Sequence, residues 1–439
     1  MFKIKNVWIC QINDNNIDPF FGDIELADGS ISSLIERDYI FENVESAEDI
    51  DGAGRVVTIP NINFHEHFYS RLAKGLPSIG PSTNFQEILE NLWWKLDKLL
   101  DEDMLKASVH MGAIESIRNG VTYVFDHHSS PNFTTGSLRT IGDVMSQYSL
   151  RGVLCFETSD RNGKSISEDS INEHVNTFSD FDNLDFQVLL GLHASFTLND
   201  STLNLAHKLL KEHHLGIHIH LCEDKSDAEI TLEKTNYTPI ERLNNFGLLN
   251  DRSILAHGIH LTATDYKIIS ESGSAIAYNL HSNLNNSVGI PDFTSVPKSI
   301  PILLGTDGMH ANVASSLKQY FLLMRNAGLS FEEVFGRISS NYFKQLSFIK
   351  QYFHDFPSLH INDRADLIIW DYVPPTPFTK ENFWGHYIYG ILESPVQHVI
   401  QKGNFLMKDF QINFDVNEKR KIINTQGNRL FQKFSEAVE

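Results

Sequence analysis

An apolar run, residues 56–64, leads directly into His65-Glu66-His67. Side chains two apart on an extended strand share a face, so His65 and His67 can aim two imidazoles at one point. Imidazole is the commonest side-chain ligand of divalent transition metals. Other apolar runs end in similar groups. His193 closes one, within Gly-Leu-His-Ala-Ser-Phe-Thr. His218 and His220 close the next, with Glu223 just beyond, and His257 and Asp307 follow in Leu-Ala-His-Gly and Leu-Gly-Thr-Asp-Gly. His65, His67, one of the pair His218/His220, and Asp307 would form a three-imidazole, one-carboxylate site with a position left for water. A divalent ion there lowers the pKa of its water from about 15.7 towards 7, making a nucleophile at neutral pH. No lysine ends the fourth run to bridge a second ion, so one metal is expected. Zinc is the expected ion, and this donor set suits Fe2+ as well.

The elements that position these groups follow a regular rhythm. Eight β-rich apolar runs occupy 56–64, 121–126, 152–157, 186–193, 216–221, 253–257, 274–279 and 300–307. Several intervals between them, such as 103–119, 202–214 and 239–246, have helical amphipathic spacing. Near-continuous apolar strands alternating with helices predict a parallel sheet, and eight units predict a (β/α)8 TIM barrel over 57–361. Active sites of such barrels sit at the C-terminal ends of the strands, where the His and Asp residues stand. Residues 1–56 read instead as short strands (2–10, 21–27, 30–36), as do 362–411 (365–371, 396–401, 404–410). The two ends together predict a small β-sandwich domain, and 412–439 predict a polar C-terminal helix.

Bulk properties narrow the function. The 439 residues carry 36 basic and 56 acidic side chains, a formal charge of −20, which argues against nucleic acid or an anionic membrane as partner. Three distant cysteines give neither a disulfide framework nor a structural zinc motif. No apolar stretch approaches the ~18 residues of a membrane span. The polar start has no signal-peptide pattern, so a cytoplasmic location is expected.

The order His-x-His, His, His-x-x-Glu, Ala-His-Gly, Gly-Thr-Asp-Gly resembles the deaminase and chlorohydrolase branch of the amidohydrolase superfamily, over essentially the whole chain. Longer stretches resemble the SsnA group of aminohydrolases in particular: Asn91-Leu-Trp-Trp-Lys-Leu-Asp97, Phe125-Asp-His-His-Ser-Ser-Pro131, Cys155-Phe-Glu-Thr-Ser-Asp-Arg161, Ser282-Asn-Leu-Asn-Asn-Ser-Val-Gly289 and Pro374-Pro-Thr-Pro377. The resemblance selects His220 over His218 as ligand, through the pattern His-Leu-x-Glu. It implies that Glu223 shuttles protons, His257 hydrogen-bonds the metal-bound water, Asp307 binds the metal and accepts the water's proton, and His193 contacts substrate. It further implies a small heterocyclic substrate, purine-related, deaminated when metal-bound hydroxide attacks a ring carbon. Ring opening of a cyclic amide and dechlorination are the alternatives. Homodimers are common in the family.

Three further groups are candidates at the rim. Trp93 or Trp94 could stack on a flat substrate. His127 or His128 follows the second run. Arg161 follows the third and could take a ring carbonyl or carboxylate. Glu66, between the two ligands, should face away and be structural, and Cys222 should pack behind its strand.

Overall fold

Pro60 breaks the first apolar run in two. A proline cannot donate to a strand ladder, so the pairing changes partners there. Val56–Thr58 pairs with Phe2–Asn13 and Leu367–Trp370, whereas Asn61–Glu66 pairs in parallel with Val121–His128. Residues 57 and 58 therefore belong with the chain ends, and the inner set of strands begins at Asn61, not at 57. The computed structural model describes residues 1–77, 79–181 and 185–436.

The inner strands are parallel. Asn61–Glu66, Val121–His128, Arg151–Phe156 and Phe186–Val188 form one set. Leu190–Ala194, Ile217–Leu221, Ile254–His257, Ala275–Tyr278 and Ile302–Leu304 form the other. Single bridges, Thr158 with Leu192 and Glu66 with Asp307, join the sets at both edges, so the pairings run in a ring back to the first strand. Residues such as those of Val121–His128 are buried throughout, as strands covered on both faces must be. Helices occupy most of the intervals. Glu102–Arg118 is capped by Asp101 accepting from Met104 N, while Pro239–Asn245 and Ala263–Ser272 each start with a reciprocal capping box, Thr238 with Glu241 and Thr262 with Asp265. The 103–119 and 239–246 readings thus fall on helices within a residue or two of their expected ends.

Strands from both chain ends share one nine-stranded sheet, with Val56–Thr58 between Phe2–Asn13 and Leu367–Trp370. Its pairings are continuous rather than divided into two sheets. Within the sheet Trp370 Nε1 donates to Thr58 Oγ1 at 2.9 Å. The sheet is tied to the ring where Tyr123 Oη, from the second inner strand, donates to Asp366 Oδ2 at 2.6 Å. Arg364 Nε and Lys402 N also donate to Asp366. The C-terminal helix, Val416–Glu436, buries Leu430 and Phe434 and packs on Glu102–Arg118; Arg429 and Lys433 both reach Asp101, the cap of that helix. Among the described residues no helix is long and apolar enough to cross a membrane.

Tyr123→Phe removes one donor to the fully buried Asp366 carboxylate without changing shape. Unfolding in urea should show a loss of about 1–3 kcal/mol, with the metal content of the purified protein unchanged.

Candidate metal centre and active-site cleft

Two buried ties fix the ends of the first and last inner strands against each other. Thr306 and Asp307 each donate a backbone N–H to His65 O at 3.0 Å. Beneath them Glu66 is wholly buried, paired with the equally buried Arg71 and accepting from Asn63 Nδ2 at 2.7 Å and Thr306 Oγ1 at 3.1 Å. Glu66 thus faces away from the imidazoles, in the structural role expected. Gly305 lets the strands approach: a Cβ there would stand 2.7 Å from His65 Cβ and 2.3 Å from Asn279 Oδ1. Asp307 and His257 both have left-handed backbone (φ 55° and 74°), a costly conformation for residues with side chains.

The imidazoles converge. His67 Nε2 lies 3.0 Å from Asp307 Oδ1 and 3.2 Å from His220 Nε2, and His65 Nε2 lies 3.7 Å from Asp307 Oδ1. Ligand atoms of His65, His67 and His220 fall within 4.8 Å of one another, as do those of His65, His257 and Asp307. Each ring is oriented from behind. His67 Nδ1 donates to His127 O, and His220 Nδ1 donates to His193 O at 3.1 Å, which turns Nε2 of both rings inward. His218 Nε2 sits 2.8 Å from His65 Nδ1, behind that ligand rather than beside the convergence point. This is the arrangement expected if His220 binds and His218 supports.

Charge in the cluster favours a cation. Burial, reinforced by neighbouring imidazoles, holds His65 and His220 well below the usual histidine range, so both are neutral donors of a lone pair. Burial works against a charged His67 too, yet the Asp307 carboxylate overrides it and raises this imidazole to about 9. Asp307 stays ionised despite burial, chiefly through the same hydrogen bond. The buried His65 Nε2 has no hydrogen-bond partner. Two neutral imidazoles, a third that gives up its proton to a bound cation, one carboxylate and an orphaned nitrogen turned into the cluster fit a divalent ion.

Beside this cluster Glu223 Oε2 lies 3.4 Å from His257 Nε2, another buried nitrogen without a hydrogen-bond partner. Asn286 Nδ2 reaches Glu223 Oε1 at 3.3 Å, and Asn283 Nδ2 donates to His257 Nδ1 at 2.7 Å. Burial, and then the Asp307 charge, push the Glu223 carboxyl well above its ordinary range, which favours its protonated form. Burial lowers His257 to about 4. Both groups open on a cleft whose walls include Trp93, Trp94, Phe85, Phe196 and Met309.

The remaining candidates divide. His193 and Trp94 line the cleft, with their rings edge to face at 6.1 Å. His128 does not line it. The alternation along Val121–His128 turns His128 away, and its Nε2 pairs with Ser130 Oγ at 2.7 Å. His127 turns inward behind His67, held by the carbonyls of Leu192 and His218. Cys222 is buried and its thiol is pushed up by burial, so it is inert packing. Arg161 lies in the cleft, over Trp94 at 5.1 Å, but its Nη2 pairs with Asp97 Oδ2 and stands 3.2 Å from Glu157 Oε1. The fork expected to meet substrate is occupied by two buried carboxyls. Asp97, Glu157, Asn283 and Asn286 were not anticipated. Glu157 ends the third apolar run, a position of the kind that singled out His and Asp elsewhere. The other three lie within stretches read only as family resemblance.

The amidohydrolase family matches residues 56–412. The 5'-deoxyadenosine deaminase of Methanocaldococcus jannaschii is 28% identical over 385 residues, covering 84% of this chain and 88% of that one. The crystal structure of a zinc-bound adenosine deaminase from Xanthomonas campestris superposes with a TM-score of 0.77 at 16% identity, covering 98% of both chains. The zinc complex of atrazine chlorohydrolase from Arthrobacter aurescens gives 0.76 at 17% identity, covering 98% of this chain and 100% of that one. The fold is shared with both.

Arg161→Met strands two buried carboxyls. Its cost in chemical denaturation should be about 3–5 kcal/mol, the scale for breaking one side of a buried ion pair. A change under 1 kcal/mol would show that the guanidinium is held for substrate rather than by Asp97 and Glu157.

Proposed function

The chain belongs to the amidohydrolase family, and from that premise we propose that it is a metal-dependent aminohydrolase built on a (β/α)8 barrel, removing the exocyclic amine of a nitrogen heterocycle. The observation that carries the reading is the Glu223–His257 pair set directly against the His/Asp convergence, at the floor of an aromatic-walled cleft. His65, His67, His220 and Asp307 would hold one divalent ion, zinc. When bound, that ion would make a water molecule acidic enough to act as nucleophile.

The side chains account for the remaining needs of the reaction. His257 Nε2, buried without a partner, is placed to hold the attacking water by a hydrogen bond. Asp307, kept ionised, accepts the proton that water gives up. Glu223, kept protonated, delivers a proton to the ring nitrogen beside the attacked carbon, and Asn286 fixes the other oxygen of that carboxyl. As the tetrahedral carbon collapses to a carbonyl, its hydroxyl proton passes through the Glu223 carboxylate to the leaving amine, the C–NH2 bond breaks, ammonia departs, and the proton held by Asp307 returns Glu223 to its starting state. Trp93, Trp94 and Phe196 offer stacking surface to a planar ring, and His193 Nε2 is a polar contact at the wall. An aminopurine, free or as a nucleoside, suits this cleft and accords with the deoxyadenosine-deaminating relative. The proposal extends to a cytoplasmic enzyme of purine breakdown.

Metal analysis of the purified protein, followed by an ammonia-release screen over aminopurines and their nucleosides, tests the reading. About one zinc per chain and release from at least one purine are expected. A metal-loaded protein that releases no ammonia from any purine, pyrimidine, pterin or triazine would refute it.

Glu223→Gln keeps the size of the side chain but removes its titrating proton. Zinc content should be unchanged and turnover should fall by roughly 100-fold or more. A metal-loaded variant with nearly full activity would take Glu223 out of the mechanism.

A further inference from the structure

Six carboxyl groups line the cleft: Asp97, Glu157, Glu223, Asp224, Asp227 and Asp307. Against them, among the described residues, stands a single lysine or arginine, Arg161. Two of its three guanidinium nitrogens already have partners, and Nε is buried. Nη2 is shared between Asp97 and Glu157, Nη1 sits 3.4 Å from His193 Nε2, and the plane lies over Trp94. Asp97 keeps its other oxygen, Oδ1, buried and without a hydrogen-bond partner, so the group beside Arg161 is a carboxyl with unused acceptor capacity. Even with Glu223 protonated, the other five carboxyls outnumber the charges of Arg161 and of one divalent ion at the convergence point.

Resting on the aminohydrolase reading, we infer that the cleft selects heterocycles without an anionic group and rejects phosphorylated or carboxylated ones, with Asp97 and Glu157 as specificity-determining residues that cancel Arg161. A phosphate or carboxylate brought into the cleft would lie close to like charge in a partly desolvated space, with no free cation to receive it. Nucleosides and free bases are accepted, and nucleotides are excluded. The reactions that supply this enzyme must therefore have removed any phosphate first, by phosphate-ester hydrolysis or by release of the base.

The test uses three matched pairs on the zinc-loaded enzyme: adenosine with adenosine 5'-monophosphate, guanosine with guanosine 5'-monophosphate, and cytosine with cytosine-5-carboxylic acid. Ammonia release gives kcat/KM, and thermal shift reports binding independently of chemistry. The uncharged member should exceed its anionic partner by about 100-fold in kcat/KM, and it alone should raise Tm. Asp97→Asn combined with Glu157→Gln uncages Arg161 and should narrow that ratio by about tenfold, with zinc content unchanged.

Ammonia released from the anionic member as fast as from its partner would overturn the charge selection and leave the aminohydrolase reading standing. Preferential binding of uncharged members without ammonia release would do the reverse. A selectivity unchanged in the double variant would remove Asp97 and Glu157 as its source. No binding or turnover with any of the six compounds would overturn the charge selection as stated for nucleosides and free bases, while the aminohydrolase reading stands or falls on the wider ammonia-release screen.

Discussion

One carbonyl oxygen holds the geometry together. His65 O accepts the N–H groups of Thr306 and Asp307, which tie the last inner strand back onto the first. The two ends of the ring thereby meet at the residues that carry chemistry. The tie sets Asp307 against His65 and His67, and the buried Glu66–Arg71 pair supports it from below. Rings of parallel strands gather side chains from distant parts of a sequence at one face. Here the join itself is part of that face, so whatever disturbs closure disturbs the donor cluster as well.

The electrostatics follow from putting so many ionisable groups out of water. An unpaired buried charge is expensive, and each group here either becomes neutral or finds a partner. His65, His220 and His257 become neutral. His67 and Asp307 remain a charged pair. Glu223 takes up a proton, which is the state a proton donor needs. The same burial therefore yields lone pairs for a cation on one side of the cluster and an acid on the other. Cys222, one residue from Glu223, shows the contrast: burial without a partner leaves a thiol with nothing to do.

Much of the inner architecture was legible because buried parallel strands advertise themselves as apolar runs, and because His-x-His on a strand has one geometric meaning. The choice between His218 and His220 was not legible from spacing, since both lie on one strand face; it needed the family pattern, and the structure distinguishes them by what stands behind His65. Pro60 was visible in the sequence, yet the run was read through it, because an apolar stretch does not disclose that its halves pair with different sheets. His128 was misplaced for a related reason: two adjacent histidines at a strand end point in opposite directions, and only the register tells which is inward. Arg161 was correctly placed at the cleft and wrongly freed. Its partner Asp97 lies 64 positions away in the chain, a separation over which spacing carries no information.

The sheet built from both ends has a temporal side. Thr58 is joined to Trp370 across 312 positions, and Val56–Thr58 has Leu367–Trp370 as its neighbour on one edge. A ribosome adding about 5–20 residues per second needs roughly 15–60 seconds to make the missing strand. Through that interval the nascent strand Val56–Thr58 carries an open, apolar edge of the kind that invites pairing with another chain. The inner ring can be assembled strand by strand during synthesis. The sheet built from both ends waits for the last sixth of the polypeptide, and until then that edge has no Leu367–Trp370 to pair with.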